Sequence, residues 1–318
     1  MQDHPAPVKV AVVQAAPVLF DRQATLDKFK HLVVEAGKKG AQLVLFPEAF
    51  IPAYPRGLSF GMVVGSRSNE GRRTWQRYWE NAVEIPSPTT NIMGEAIAQV
   101  GVYAAVGIIE RDNEFSGGTL YCTMIYFAPD GQILGKHRKL KPTGAERLIW
   151  GEGDGSTLTV IETGFGKVGG LICWENYMPL ARMAMYSKGV EIYLAPTADS
   201  RQTWQATMRH IACEGRCFVL GCNQYVRRDM YPIDMQETEE LKTQPEVMCP
   251  GGSVIVSPFG ELIAGPLFGE EGILFAELDM GEVIRSKVDF DVVGHYGRPD
   301  IFCLQINEQA QRPVEVNG

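Results

Sequence analysis

Residues 8–50, VKVAVVQAAPVLFDRQATLDKFKHLVVEAGKKGAQLVLFPEAF, decide the fold class of this chain. The apolar run at 8–17 predicts a buried strand, and the run at 41–50 predicts a second strand that Pro47 stops. Between them, Gly40 ends a pattern of apolar residues at helical spacing, made of Leu26, Phe29, Leu32, Val33 and Ala36. A helical crossover of this length can return the chain to the same sheet, which indicates an α/β fold.

Strand and helix signals keep alternating beyond residue 220, and the chain contains no internal repeat or low-complexity tract. Further strands are predicted at 103–112, 119–138 and 157–174 (both hairpins), 190–197, 217–226, 251–267 and 271–280. Further helices are predicted at 73–85, 90–101, 179–188 and about 203–215, with long loops at 52–66 and 227–250. This alternation favours one domain over residues 1–318, with a core at about 8–300 and a short polar tail.

The composition argues against several classes of partner. A formal net charge of −8 and a pI of about 5.3 do not suit a nucleic-acid-binding surface. No apolar run approaches the roughly 18 residues needed to span a bilayer, and the N-terminus does not resemble a signal peptide. Seven cysteines form an odd set without a disulfide framework, so we expect reduced thiols in the cytoplasm.

Three reactive side chains each follow a predicted strand, where ligands bind in open α/β sheets: Glu48, Lys139 and Cys173. Taken alone, each has an ordinary explanation as an exposed acid, a surface cation or a core thiol. Taken together, they suit addition to a polarised carbon–nitrogen bond. A thiolate is a strong nucleophile, and a nearby ammonium or the start of a following helix favours its formation. A glutamate can take up the proton of the thiol, and a lysine can stabilise charge that develops on the substrate.

The chain resembles the nitrilases of the carbon–nitrogen hydrolase superfamily. Three segments carry the resemblance: FPEAF (46–50), KHRKLKPTGAERLIWGEGDGST (136–157) and GGLICWENYMPLARMAMYSKGVEIYLAPTADS (169–200). The resemblance extends from Val8 to about residue 298, and RKLKPT with CWEN separates nitrilases from their amidase relatives. Among nitrilases, YPRGLSFG, EGRCFVLGCNQ and GGSVIVSP resemble plant enzymes, including the β-cyanoalanine type.

The resemblance implies an α-β-β-α sandwich that dimerises into an eight-layered unit and, in some members, forms larger spiral homo-oligomers. It places the family's catalytic triad on Glu48, Lys139 and Cys173, and a supporting glutamate on Glu146. It implies a small-molecule nitrile substrate, a thioimidate and then a thioester on the cysteine, and no metal or organic cofactor.

Aromatic and strand-end residues near the triad are candidates for the substrate pocket, namely Tyr54, Trp174, Tyr177, Pro196 and Thr197. Aromatic walls suit arylaliphatic nitriles, although aliphatic nitriles stay open. Arg56 offers an alternative, since it can pair with the carboxylate of an amino-acid nitrile. Packing within a loop is the competing interpretation for each of these residues.

Other signals are weaker. His210, Cys213 and Cys217 share a predicted helix face but lack the paired spacing of a zinc site. His295 is a further acid–base candidate, for which a structural role is the simpler interpretation. Three functions therefore remain: a nitrilase, with or without the amide side product of the β-cyanoalanine type; an amidase on the same scaffold; and a catalytically silent binding protein.

Overall fold

The structure is a computed structural model that describes residues 7–115 and 117–314. The end of the predicted polar tail, residues 315–318, lies outside these ranges, as do residues 1–6.

Strands occupy most of the positions that the sequence predicted. Their bounds are β1 Val8–Gln14, β2 Leu43–Leu45, β3 Met62–Val63, β4 Ser66–Arg67, β5 Tyr103–Arg111, β6 Leu120–Phe127, β7 Ile133–Arg138, β8 Val160–Thr163, β9 Gly166–Gly170, β10 Ile192–Pro196, β11 Phe218–Cys222, β12 Tyr225–Arg227, β13 Val247–Val256, β14 Leu262–Phe268 and β15 Gly272–Leu278.

The α-helices are α1 Arg22–Lys38, α2 Asn69–Asn81, α3 Pro88–Ala98, α4 Pro179–Ser187, α5 Gln202–Gly215, α6 Ile233–Gln236, α7 Glu239–Lys242 and α8 Gly281–Lys287. Short 3-10 helices cover Gly144–Leu148, Gly155–Thr157, Cys173–Tyr177 and Arg228–Met230. Side chains fix several helix starts: Asp21 accepts a hydrogen bond from the Ala24 N–H at α1, and Ser87 and Thr90 form a capping box at α3.

The strands form two large sheets. The first has the order β15-β1-β2-β5-β6-β7, and the second has the order β12-β13-β11-β10-β9-β8, with β14 paired to β13. Strands β1 and β2 are parallel neighbours, with Val10 opposite Leu43, so the predicted crossover is confirmed. Strands β9, β10 and β11 are likewise parallel, so their carboxyl ends meet at one edge of the second sheet.

Alternating side chains divide the interior into three apolar layers. In β1, Val10 and Val12 face the layer between the sheets, whereas Ala11 and Val13 face α1 and α3. The second sheet alternates in the same way: Ile192 faces the first sheet, whereas the next residue along β10 packs against α4 and α5. Burying both faces of both sheets produces the predicted four-layer α-β-β-α sandwich.

The structure differs from the sequence predictions in short elements. The predicted loop at 227–250 contains α6, α7 and the start of β13, and the loop at 52–66 ends in the small β3–β4 hairpin. Helix α8 was not predicted. A helix of four to seven residues completes too few turns for an apolar period to stand out from chance.

Two predictions on organisation stay predictions, namely the single domain over residues 1–318 and the eight-layered dimer. In the described ranges, no helix is both long and apolar enough to cross a bilayer.

Candidate active site

Glu48 lies in a tight turn after β2. Ala49, the residue after it, is in the left-handed region with φ of 50°. Gly107 on β5 lies against this turn, and a Cβ atom there would come within 2.1 Å of the Pro47 carbonyl oxygen. Glycine at 107 is therefore needed for the close backbone approach that brings Glu48 into the layer between the sheets, where it is 1% exposed.

Lys139 follows β7 and is fully buried between two carboxylates. Its Nζ lies 2.7 Å from Glu48 Oε1 and 2.7 Å from Glu146 Oε2. Burial alone would lower the pKa of Lys139, but the charge of Glu48 opposes it and the net pKa is well above the usual value. The side chain is therefore an ammonium at neutral pH.

Glu146 is held by the backbone and by a phenol. It lies in the 3-10 helix Gly144–Leu148, where its Oε2 accepts a hydrogen bond of 2.6 Å from the Thr143 N–H. Its Oε1 accepts one of 2.7 Å from the Tyr54 hydroxyl. With both oxygens engaged, Glu146 is a fixed negative charge that holds the Lys139 ammonium in place.

Cys173 lies at the point where β9 leaves the second sheet. Its φ is 53°, which is the left-handed region that non-glycine residues adopt at a cost of about 1–2 kcal/mol. The Thr197 hydroxyl, just after β10, donates a hydrogen bond of 3.2 Å to Sγ. An α-helix was expected directly after the cysteine, but a 3-10 helix comes first because Pro179 disfavours helical geometry at Met178, and α4 starts at Pro179.

Burial acts against the stabilised thiolate that the sequence led us to expect. Burial and then the charge of Glu48 raise the pKa of Cys173 to about 12, despite the opposing charge of Lys139. Burial likewise raises the pKa of Glu48, against the lowering effect of Lys139. The low-dielectric environment thus outweighs the positive charge that the sequence suggested.

One oxygen of Glu48 is available to the thiol. Oε1 accepts from Lys139, whereas Oε2 is buried without a hydrogen bond of normal length from any described residue. The Cys173 thiol is close enough to lower the pKa of Glu48 as a donor. The arrangement can therefore move a proton from sulfur to Glu48 when sulfur forms a new bond.

Two residues that the sequence analysis did not single out form a buried pair beside the triad. Glu175 accepts a hydrogen bond from His137 Nε2 at 3.0 Å, and His137 Nδ1 lies 2.9 Å from the Thr157 carbonyl oxygen. Both ring nitrogens thus face acceptors, an arrangement that favours the protonated imidazolium form of His137. Burial lowers the pKa of His137, but Glu175 raises it more, and the net pKa is above the usual value. The presence of Glu175 in the CWEN segment was the available signal.

Further contacts hold Glu48 from neighbouring strands. The Gln224 side chain, just beyond β11, donates to the Glu48 carbonyl oxygen at 2.8 Å. Cys122 on β6 is buried, and its thiol donates to Glu48 Oε1 at 3.5 Å. The first contact crosses from the second sheet to the first, so both sheets determine the position of Glu48.

The candidate pocket residues divide into two groups. Thr197 contacts the nucleophile and Tyr54 contacts Glu146, whereas Pro196 is buried at the end of β10. Trp174 and Tyr177 pack against each other with ring centroids 5.7 Å apart, and Tyr177 packs on Trp204 of α5 at 6.1 Å. Their ring contacts therefore run outward, towards α5.

A cavity of about 200 Å³ opens beside the charged residues. Tyr54, Arg56, Glu146 and Trp150 are among the residues that line it. The Tyr54 ring meets the Trp150 ring edge-on, with centroids 5.7 Å apart. The cavity is thus lined by aromatic rings and by the Arg56 cation, and it lies beside Glu146, which is one of the two carboxylates that contact Lys139.

The weaker candidates lie elsewhere. Across the described ranges, no group of three or more His, Cys, Asp or Glu side chains could hold a metal ion. His210 lies 3.5 Å from Glu214 within α5, and Cys217 is fully buried. His295 contacts the neighbouring Tyr296 ring at 5.4 Å.

Comparison with known proteins agrees with this fold. Residues 9–287 match the family described as carbon-nitrogen hydrolase. A bifunctional nitrilase/nitrile hydratase of Lupinus angustifolius is 51% identical over 311 residues, covering 96% of this chain and 88% of the relative. An aliphatic nitrilase of Sinorhizobium fredii is 50% identical over 307 residues, covering 96% of this chain and 97% of the relative.

Solved structures share the architecture. The carbon-nitrogen hydrolase from Helicobacter pylori G27 has a TM-score of 0.72 at 21% identity and covers 94% of this chain and 98% of its own. The Nit3 protein of Saccharomyces cerevisiae has a TM-score of 0.68 at 22% identity, with 92% and 97% covered. At these identities the similarity establishes the fold alone.

The chain belongs to the carbon–nitrogen hydrolase family. Within that family it is an enzyme of the nitrilase kind, and the resemblance to plant-type nitrilases stated from the sequence is confirmed.

Proposed function

We propose that this enzyme hydrolyses an organic nitrile to its carboxylic acid and ammonia, with Cys173 as nucleophile. The observation that carries the proposal is the buried thiol near an unengaged carboxylate oxygen, with an ammonium fixed between two carboxylates. Two relatives whose sequences are 50% and 51% identical to this chain are named as nitrilases, which supports the same reaction. Arylaliphatic and aliphatic nitriles are the proposed substrates, since the adjoining cavity has an aromatic wall.

The first half of the reaction forms a covalent thioimidate. Sulfur of Cys173 attacks the nitrile carbon while its proton passes to Glu48, so no free thiolate is needed in the resting enzyme. The nitrile nitrogen gains negative charge as its triple bond becomes a double bond, and it takes up the proton that Glu48 received from sulfur, which leaves Glu48 a carboxylate again. The Lys139 ammonium and a backbone N–H near Trp174 stabilise that charge.

The second half consumes two waters. Glu48 activates the first water, which adds to the thioimidate carbon and gives a tetrahedral intermediate. Cleavage of its carbon–nitrogen bond releases ammonia and leaves a thioester on Cys173. The second water hydrolyses the thioester, so one nitrile and two waters give one acid and one ammonia.

Amide release is the second candidate outcome at the same site. Cleavage of the carbon–sulfur bond in the tetrahedral intermediate, in place of the carbon–nitrogen bond, returns the thiol and releases an amide after one water. The relative from Lupinus angustifolius is named for both activities, which favours testing for both products. Protonation of the nitrogen directs the intermediate towards ammonia, so the Lys139 and Glu48 charges control the ratio.

A panel of nitriles tests the proposal directly. Ammonia, acid and amide are measured from aliphatic, aryl, arylacetonitrile and β-cyanoalanine substrates, with matching amides alongside. Ammonia and acid from a nitrile support the nitrilase, whereas turnover of amides alone supports the amidase. No turnover of either class would reject catalysis and favour the binding-protein alternative.

Arg56 supports a second substrate class, nitriles that carry a carboxylate. Its guanidinium donates a hydrogen bond to the Ala198 carbonyl oxygen and lies over the Tyr54 ring at 5.3 Å. Ala198 directly follows Thr197, and the Thr197 hydroxyl contacts Cys173 Sγ. The Arg56 guanidinium therefore binds the backbone next to a residue that contacts the nucleophile. No carboxylate in the described part of the chain pairs with it.

Replacing Arg56 by methionine tests this assignment. We expect kcat/KM for β-cyanoalanine to fall roughly 10- to 100-fold, the value of a lost charged hydrogen bond, while neutral nitriles change little. The neutral nitriles are the internal control, because a distorted site would slow both classes. Equal effects on both classes would remove Arg56 from carboxylate recognition.

We propose that the enzyme forms a homodimer or a larger homo-oligomer. Leu180 on α4 is 68% exposed, and Ile284 on α8 and Val288 just after it are also exposed, which leaves apolar side chains at the surface of these helices. Sedimentation velocity at micromolar concentration should show a dimer or larger species, and Leu180→Glu should shift it towards monomer. A monomeric wild type would contradict this assembly.

The cytoplasm stays the predicted location. All seven cysteines are free thiols, which suits a reducing compartment.

A further inference from the structure

Glu175 is a buried carboxylate with no part in the proposed proton transfers. It is 1% exposed and lies two residues after the nucleophile. Its two oxygens accept hydrogen bonds from two backbone N–H groups and from His137. Both carboxylate oxygens are therefore bound by other groups of the protein.

The two backbone donors are the immediate neighbours of two proposed catalytic residues. Oε1 accepts from the Leu140 N–H at 2.7 Å, and Leu140 directly follows Lys139. Oε2 accepts from the Ile172 N–H at 2.7 Å, and Ile172 directly precedes the nucleophile Cys173. One carboxylate therefore ties the segment that carries the ammonium to the segment that carries the sulfur.

This connection joins the two sheets. Leu140 lies beyond β7 of the first sheet, and Ile172 lies beyond β9 of the second. Consecutive Cα atoms are about 3.8 Å apart, so a shift of either N–H moves the adjacent catalytic residue by a similar amount. His137 supplies a third donor at 3.0 Å and orients the carboxylate.

We propose that Glu175 is a positioning residue that sets the separation of the Lys139 ammonium and the Cys173 sulfur through the Leu140 and Ile172 N–H groups. The inference rests on the proposed function, since it assigns Lys139 and Cys173 their roles. A positioning role differs from a purely structural role in its effect on the reaction. A buried ion pair with only a structural role would affect stability and leave the chemical step unchanged in the folded enzyme.

Glu175→Gln is the main test. The amide keeps the size of the side chain but turns one acceptor into an NH₂ group, which faces a donor in any orientation. We expect kcat to fall by roughly 100-fold with KM nearly unchanged, because a displacement of about 1 Å at the reacting atoms has that effect. The measurement is made well below the midpoint of thermal unfolding of the variant.

Glu110→Gln is the matched control. Glu110 is also 1% exposed, and its carboxylate accepts hydrogen bonds from three side chains: Thr123, Lys136 and Arg138. The control should lower the unfolding midpoint while kcat stays within about threefold of wild type, since Glu110 accepts from three side chains and not from the backbone N–H groups beside Lys139 and Cys173. If Glu110→Gln lowers kcat as much as Glu175→Gln, the positioning role is rejected.

Two further results decide the remaining cases. If Glu175→Gln does not fold, Glu175→Asp keeps the charge but is one methylene shorter, and its kcat should still fall more than that of Glu110→Gln. If wild type converts amides and not nitriles, the proposed nitrile hydrolysis fails, and the same variants compared on the amide still test positioning. A Glu175→Gln enzyme with wild-type kcat on the active substrate would overturn the inference.

Discussion

Cys173→Ala should abolish nitrile turnover while the protein stays folded. The variant has no atom that can bond to the nitrile carbon, so both the thioimidate and the thioester are lost. We expect ammonia release to fall by roughly 10⁴-fold or more, the usual scale for removing a covalent nucleophile. The measurement is ammonia from the preferred nitrile of the panel, with wild type and variant at equal concentration.

Cys217→Ala provides the control for this variant. Cys217 is fully buried against α5, outside the charged site, so its loss tests the effect of deleting a core thiol. Its kcat should remain close to wild type, and its stability should fall by about 1 kcal/mol or more from the small cavity. Full turnover by Cys173→Ala would reject covalent catalysis at this residue.

Lys139→Met should remove activity and destabilise the fold together. Among the described residues, the ammonium and the Cys122 thiol are the partners of Glu48 Oε1, and the ammonium also balances Glu146. Its removal leaves two carboxylates in a buried space, which costs about 3–5 kcal/mol when one partner of a buried pair is deleted. Urea unfolding measures the stability loss, and the nitrile assay measures the activity.

Lys136→Met is the matched control, on β7 three residues before Lys139. Lys136 lies 2.5 Å from Glu110 but is partly exposed, and Arg138 still pairs with Glu110 after its removal. We expect at most about 1 kcal/mol of destabilisation and near-normal turnover. Activity in Lys139→Met within tenfold of wild type would contradict the role of the ammonium in stabilising charge on nitrogen.

The sequence predicted the fold and the central site because both leave local signals. The first strand, the helix and the second strand have clear periodicities, and the parallel register of β1 and β2 follows from them. The FPEAF, RKLKPT and CWEN segments predicted Glu48, Lys139 and Cys173, which the fold brings to one buried space. The catalytic roles stay predictions until the variants are measured.

What the sequence could not predict depends on contacts between distant segments. His137 and Glu175 are 38 positions apart, and neither has a neighbouring pattern that reveals the other. Burial is also a property of the whole fold, so the raised pKa of Cys173 could not be read from the lysine and helix signals nearby. The effect of burial therefore opposes the expected thiolate, and only the whole fold reveals it.

The division of the site between the two sheets has a consequence for the folding of a newly synthesised chain. Glu48 and Lys139 extend from the first sheet, whereas Cys173 and Thr197 extend from the second. A newly made chain in which only one sheet has formed holds either a base without a nucleophile or an ordinary thiol without a base. On the proposed mechanism, reactivity therefore begins only when the two sheets come together, and enzyme activity reports that both have formed.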